Sequence, residues 1–230
     1  MATITLEKNE AYVSGDVAVS LNKGDLIVVC AYWEWYLNAS YEYTTGAIYV
    51  DGNEITGYGK QIKATETGFY MKIAPYVAVE NGDVNISLVP TDAGADRVLR
   101  LYIVKIVPTT AEAFITGYLI GSDDDGRNTG TGGTLNIPNA VGDFLVGMSC
   151  GIATTGTLDW TAPASELGEA NDTTNMKTSV GVQISESIND AFIWTASAGF
   201  YTGGVGIAVR ESVETSGEAG VFLSDGFGFM

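Results

Sequence analysis

A Gly-Asp pair followed by an apolar run occurs twice in this sequence and constrains the fold more than any other feature. Gly24-Asp25 precedes residues 26–36, Leu-Ile-Val-Val-Cys-Ala-Tyr-Trp-Glu-Trp-Tyr, and Gly142-Asp143 precedes residues 144–150, Phe-Leu-Val-Gly-Met-Ser-Cys. Short, uninterrupted apolar runs that begin at a turn are typical of β-strands. The repeat therefore predicts two similar β units, one in each half of the chain.

The rest of the chain supports an all-β interpretation with little helix. The sequence has 29 Gly, 12 Tyr and only 5 Pro, and residues 16–21 alternate apolar with polar side chains, which indicates a half-buried strand. Asp51-Gly52-Asn53 predicts a hairpin turn. Pro108-Thr109-Thr110 marks the boundary between the units. We predict two tandem jelly-roll-like β-sandwich or barrel modules at 1–108 and 109–212, and a glycine-rich tail at 213–230.

Several local patterns carry further expectations. Residues 114–120 are predicted to form the first strand of the second module, and residues 121–133 an irregular loop. The polar stretch 165–174 has no periodicity and is predicted to be a surface loop. Pro75 implies that its strand lies at a sheet edge or contains a bulge, because proline cannot donate a ladder hydrogen bond.

Charge and composition exclude several classes of function. The formal charge of −17 repels polyanions and argues against nucleic-acid or anionic-membrane partners. It suits concentrated salt or, equally, an ordinary acidic extracellular protein. Histidine is absent, which removes the commonest general base and metal ligand, so we expect no enzyme activity and no cofactor. No apolar run approaches a membrane span, so we expect no membrane insertion, and the first residues lack the pattern of a cleavable signal peptide.

The two cysteines and one acidic run are the residues whose chemistry could form a site. Cys30 and Cys150 follow their Gly-Asp glycines by an even number of positions, so we predict buried thiols that face the core. They are too few for a disulfide scaffold. Asp123, Asp124 and Asp125 admit a calcium site or a solvated acidic loop, and their spacing does not match an EF-hand.

Aromatic residues supply the candidate interface. Tyr32 and Glu34 should face one side of their strand, and Trp33 and Trp35 the other. Exposed Tyr and Trp suit a subunit interface or a sugar-stacking platform, and packing within their own domain is an equal alternative. We predict an assembly interface at Tyr32, Trp33, Trp35 and Tyr36. Phe227 and Phe229 in the tail are predicted to join it by docking on their own chain or on a neighbour.

The order of these patterns resembles the jelly-roll-type modules in structural proteins of bacterial and archaeal viruses. The resemblance rests on the Gly-Asp turn and its apolar strand, the hairpin at 51–53, Gly82-Asp83-Val84-x-Ile86-x-Leu88, and the closing strand 97–107. It covers residues 14–107 closely and 114–212 more loosely.

The resemblance implies a virion protein of the capsid shell, a capsid decoration or turret, or a tail fibre, which assembles with copies of itself and with other virion proteins. Similar modules occur in bacterial surface proteins and carbohydrate-binding domains. A receptor- or glycan-binding module of a tail fibre or adhesin, with a host glycan or receptor as partner, therefore stays the alternative. An accessory domain of a carbohydrate-active enzyme is the third.

Overall fold

A computed structural model describes residues 2–13, 15–36, 46–63, 67–90, 97–109, 121–129, 132–152, 157–173, 176–197 and 201–211 of the chain. Within these residues the regular structure is entirely β, which confirms the predicted all-β class. No described residues form a helix long and apolar enough to cross a lipid bilayer.

Seventeen strands follow one another along the described chain. The first nine are β1 (Thr3–Val13), β2 (Val17–Leu21), β3 (Leu26–Tyr36), β4 (Gly46–Val50), β5 (Asn53–Glu54), β6 (Tyr58–Lys63), β7 (Thr67–Val77), β8 (Gly82–Pro90) and β9 (Arg97–Val107). The others are β10 (Gly121–Thr129), β11 (Gly132–Leu135), β12 (Phe144–Ile152), β13 (Leu158–Trp160), β14 (Ser165–Thr173), β15 (Met176–Ile184), β16 (Phe192–Ala196) and β17 (Tyr201–Val209).

Strands β1 to β9, which we call the first module, form two antiparallel sheets. The first large sheet has the order β1-β9-β3-β7-β6, and the first small sheet has the order β2-β8-β4-β5. The pairing is nested, because β1 pairs with β9, β2 with β8 and β3 with β7. Such nesting is what results when one long two-stranded ribbon is wound into two facing sheets.

Strands β10 to β17, the second module, repeat this order. The second large sheet runs β10-β17-β12-β15-β14, and the second small sheet runs β11-β16-β13. Each strand of the first module except β5 has a counterpart among the described strands of the second module. No sheet of the described residues mixes strands from the two modules.

The two large sheets pack face to face, so the chain has four layers with the small sheets outside. In β3, Leu26, Val28, Cys30 and Tyr32 face the second module, where they join Phe144, Val146, Met148 and Cys150 of β12 in one core. We call this the inter-module core. The intervening residues of β3 face the first small sheet. Burial on both faces explains why the runs after the Gly-Asp pairs are uninterrupted.

The two large sheets are related by an approximate two-fold axis that runs along the strands. Strand β1 lies against β14, and β6 lies against β10 and β17. The same face of each large sheet points inward, and the strand order of the second large sheet is reversed relative to that of the first. Strands β3 and β12 therefore run in the same direction. Both Gly-Asp turns therefore lie at one end of the molecule. Thr109 and Glu211, at the ends of the two closing strands, meet at this same end through two hydrogen bonds to the Glu211 carboxylate.

Each module also has its own core around tryptophan. Trp33 fills the first, at a ring distance of 5.5 Å from Tyr70. Trp160 and Trp194 fill the second, and Trp160 stacks on Phe192 at 4.4 Å between ring centroids. A Cβ atom at Gly181 would lie 2.4 Å from the Trp160 ring. The second module therefore requires glycine here, since real Cβ contacts are not this short.

Two predicted loops are wrong, because both are edge strands. Residues 121–129 form β10, paired with β17, and residues 165–173 form β14, paired with β15. Neither shows a strict period of two in its sequence, and β14 has register shifts at Glu166/Gly168 and at Asn171/Thr173. The predicted strand 114–120 and the tail 213–230 lie outside the described residues.

The predictions for the turn and for the proline have a clear structural basis. Asp51 and Gly52 have positive φ angles of 48° and 77°, which confirms the hairpin between β4 and β5. Strand β7 is internal where β6 pairs with it, but that pairing ends at Tyr58↔Ile73. Pro75 lies two residues further, where β7 pairs only with β3 through Val28. The proline thus occupies a local edge.

Candidate functional site

Tyr32 and Trp33, the two residues of the predicted interface whose side chains are described, point to opposite sides of β3, as the sequence predicts. Both side chains have no exposed surface. Tyr32 belongs to the inter-module core, and Trp33 to the core of the first module. These two adjacent residues therefore pack into two different cores.

Two tyrosine hydroxyl groups cross the inter-module core. The Tyr32 hydroxyl donates to the backbone carbonyl of Ser149, and the Tyr102 hydroxyl lies 2.8 Å from Thr178 Oγ1 and 3.1 Å from its carbonyl oxygen. The two rings meet edge to face at 6.4 Å between centroids. A buried hydroxyl needs a partner, and here both partners belong to the other module. These hydrogen bonds therefore fix the position of one large sheet on the other.

The prediction that Tyr32 and Trp33 contact another copy is wrong, because neither side chain reaches the surface of the chain. The interface that Tyr32 forms joins the two modules of one chain instead. The side chains of Trp35 and Tyr36 lie outside the described part of the structure, and so do Phe227 and Phe229. For these four residues the assembly interface stays a prediction.

The Gly-Asp turns have the same construction in both modules. Gly24 and Gly142 have φ angles of 90° and 88°, a conformation that favours glycine. The carboxylate of Asp25 accepts the Asn22 N–H at 2.9 Å, and that of Asp143 accepts the Ala140 N–H at 2.6 Å. Each aspartate thus closes its own turn three residues back.

A cation near the end of the closing strand neutralises each of these aspartates. Lys105 Nζ lies 3.0 Å from Asp25 Oδ2, and Arg210 makes two hydrogen bonds with Asp143, at 2.5 and 2.8 Å. Both carboxylates are almost completely buried. A buried carboxylate requires such a partner. The repeated Asp is therefore a structural clamp between the turn and the last strand.

Three carboxylates gather on the side of the second module, between the edge strands β13 and β14. Oxygen atoms of Asp159, Glu166 and Glu169 all lie within 4.8 Å of one another. Lys177 Nζ contacts Glu169 at 2.7 Å. Hard cations prefer such oxygen ligands, but Lys177 already offsets part of the charge. The sequence did not reveal this cluster, because its members come from two strands that do not pair with each other.

The pKa of Glu166 is raised by its position in this cluster. Partial burial raises the pKa of its carboxyl most, and the charges of Glu169 and Asp159 raise it further. A hydrogen bond from Ser179 and the nearby Lys177 act in the opposite direction. Ser179 in turn accepts the Trp160 indole N–H at 3.1 Å. The cluster is thereby attached to the core of the second module.

We expect Glu166→Gln to stabilise the protein at neutral pH. A carboxyl whose pKa is raised on folding binds its proton more tightly in the native state, so stability falls as pH rises above the unfolded value of about 4.3. The gain should be below about 1 kcal/mol, because Glu166 is largely exposed to solvent. Urea unfolding between about pH 4 and 8 measures it, with Glu186→Gln in an exposed turn as the control. Equal pH profiles for Glu166→Gln and wild type would contradict this assignment.

The remaining sequence-based sites have simpler outcomes. Cys30 and Cys150 are free thiols without exposed surface, which confirms that both are buried. Burial raises the pKa of both thiols above its ordinary range, which makes them poor nucleophiles. The backbone of Asp123, Asp124 and Asp125 forms part of β10, and the side chains of these residues lie outside the described part. The calcium hypothesis thus stays open at that position.

No protein-family model matches this sequence, and neither the curated proteins nor the solved structures contain a significant match to it.

Proposed function

We propose that this protein is a non-enzymatic building block of a virus particle, in the capsid shell or projecting from its surface. It would assemble with copies of itself and with other virion proteins. The strand order supports a jelly-roll assignment for both modules, because strands nested from the outside inward into two facing sheets define that architecture. Jelly rolls occur in viral capsid proteins and also in lectins.

The observation that carries the proposal is the face-to-face packing of the two modules. Their large sheets share one apolar core, and two tyrosine hydroxyl groups hold the sheets in position. The large sheets thus bury the apolar faces of their central strands against each other. The packed modules present edges and turns outward, which suits repeated contacts between copies in a symmetric assembly.

The charge distribution fits a component that does not contact the genome or a lipid surface. With 28 acidic and 11 basic residues, the chain repels nucleic acid and anionic lipid headgroups. The same net charge limits nonspecific association between copies. Assembly would then depend on salt, because screening shortens the range of this repulsion.

Light scattering coupled to size-exclusion chromatography across a salt series tests the proposal. We expect discrete symmetric oligomers, favoured by salt, and a regular arrangement of copies in electron micrographs. A protein that stays monomeric at all salt concentrations and binds a defined glycan would contradict the structural role. That result would support a receptor- or glycan-binding module instead.

A further inference from the structure

Three aliphatic side chains of the second module are exposed at the end of the molecule that carries the Gly-Asp turns. Val141 is 65% exposed, Ile188 is 73% exposed and Ile184 is 37% exposed. We call these three residues the end patch. Burying such side chains would be favourable in proportion to the apolar area removed from water.

The end patch belongs to two segments that run side by side. Gly142 N–H donates to the Ser185 carbonyl at 2.8 Å, and Asn189 N–H donates to the Asn139 carbonyl at 3.0 Å. Ile184 is the register partner of Phe144. The loop after β15 therefore lies along the turn before β12, so the segments that carry the three aliphatic residues are neighbours.

The described chain ends beside this surface. Arg210 holds Asp143, two residues after Val141, and Glu211 accepts hydrogen bonds from Thr109. Residues 212–230 thus follow directly from a segment that contacts the turn carrying Val141. The last ten of them contain six large apolar residues: Val221, Phe222, Leu223, Phe227, Phe229 and Met230.

Chain length favours docking on the same chain. Residues 212–220 can span up to about 30 Å when extended, which is ample for an attachment point adjacent to the patch. A short tether raises the effective concentration of its own end segment to the order of millimolar. At micromolar protein concentration, another copy cannot compete with a segment so tethered.

We propose that residues 221–230 dock on the end patch of their own chain and cover Val141, Ile184 and Ile188. This contact does not depend on the assembly role, since it forms within a single chain. Phe227 and Phe229 supply its apolar side chains, and Gly228 between them allows the backbone to approach the turn closely.

Hydrogen exchange of the full chain, read by mass spectrometry at low micromolar concentration, tests the contact from both sides. The double variant Phe227→Ser/Phe229→Ser should speed exchange in residues 139–143 and 184–190 by roughly tenfold or more. Ile188→Ser should in turn speed exchange in residues 221–230. Val89→Ser changes an exposed valine of the first module at the end of β8 remote from the Gly-Asp turns and should leave all of these segments unchanged.

Unchanged exchange at the turns in the double variant, or unchanged exchange of 221–230 in Ile188→Ser, would overturn the proposal. So would protection that disappears on dilution over about two orders of magnitude, because a contact between copies depends on concentration and a contact within one chain does not. Protection retained at every concentration is the expected result.

Discussion

Replacing Asp25 with alanine is expected to lower the free energy of unfolding by about 3–5 kcal/mol, the usual cost of removing one partner of a buried ion pair. Lys105 would keep its charge with its side chain only 13% exposed. The Asn22 N–H would also lose the acceptor that closes the turn. Urea unfolding followed by tryptophan fluorescence measures the loss.

The second module provides a graded comparison. Asp143→Ala should cost less, about 2–3 kcal/mol, because the Arg210 side chain is 41% exposed and can be hydrated after the substitution. Glu10→Ala, in the partly exposed pair with Lys8, serves as the control and should change stability by less than about 0.5 kcal/mol. A loss at Asp25 no larger than at Glu10 would refute the clamp.

Trp33→Ala should lower the free energy of unfolding by about 3–5 kcal/mol, because it leaves a cavity in the core of the first module. Trp33 is fully buried, and a Cβ at Gly46 would lie 2.4 Å from its ring, so the strand beside it is fitted to the indole. Thermal or urea unfolding measures the effect.

Trp33→Phe is the matched variant. The Trp33 indole N–H has no hydrogen-bond partner among the described residues, so phenylalanine keeps most of the apolar contact without losing a described hydrogen bond. We expect less than half of the cost of alanine. If alanine and phenylalanine were equally harmless, or if Trp33→Ala changed oligomer size without changing stability, Trp33 would have a surface role after all.

The parts of the fold that follow from local pattern could be predicted from the sequence. Gly24-Asp25 and Gly142-Asp143 indicate equivalent turns. The positive φ of the glycine and the hydrogen bond accepted by the aspartate both involve residues inside a four-residue turn. The hairpin at 51–53 followed from the same kind of local chemistry. Strands β10 and β14 were missed, since edge strands need only one neighbour and tolerate polar, bulged sequences.

What covers a buried strand face could not be predicted. The alternation in β3 separates Tyr32 from Trp33, but the same pattern fits a second sheet, a second module or a second copy. That choice depends on how the two large sheets meet, which no local pattern encodes. The carboxylate cluster at Asp159, Glu166 and Glu169 was hidden for a similar reason, because β13 and β14 belong to different sheets.

The face-to-face packing of the two modules can be tested through the two cysteines of the chain, one in each module. Cys30 and Cys150 both lie in the inter-module core, so separation of the modules would expose both thiols while the two smaller cores stay intact. The direct measurement is the labelling rate of each thiol in native buffer, read by peptide mass spectrometry. We expect both to react slowly and at the same rate, limited by opening of the shared core. Rapid labelling of either thiol in the folded protein would contradict the packing of the two large sheets.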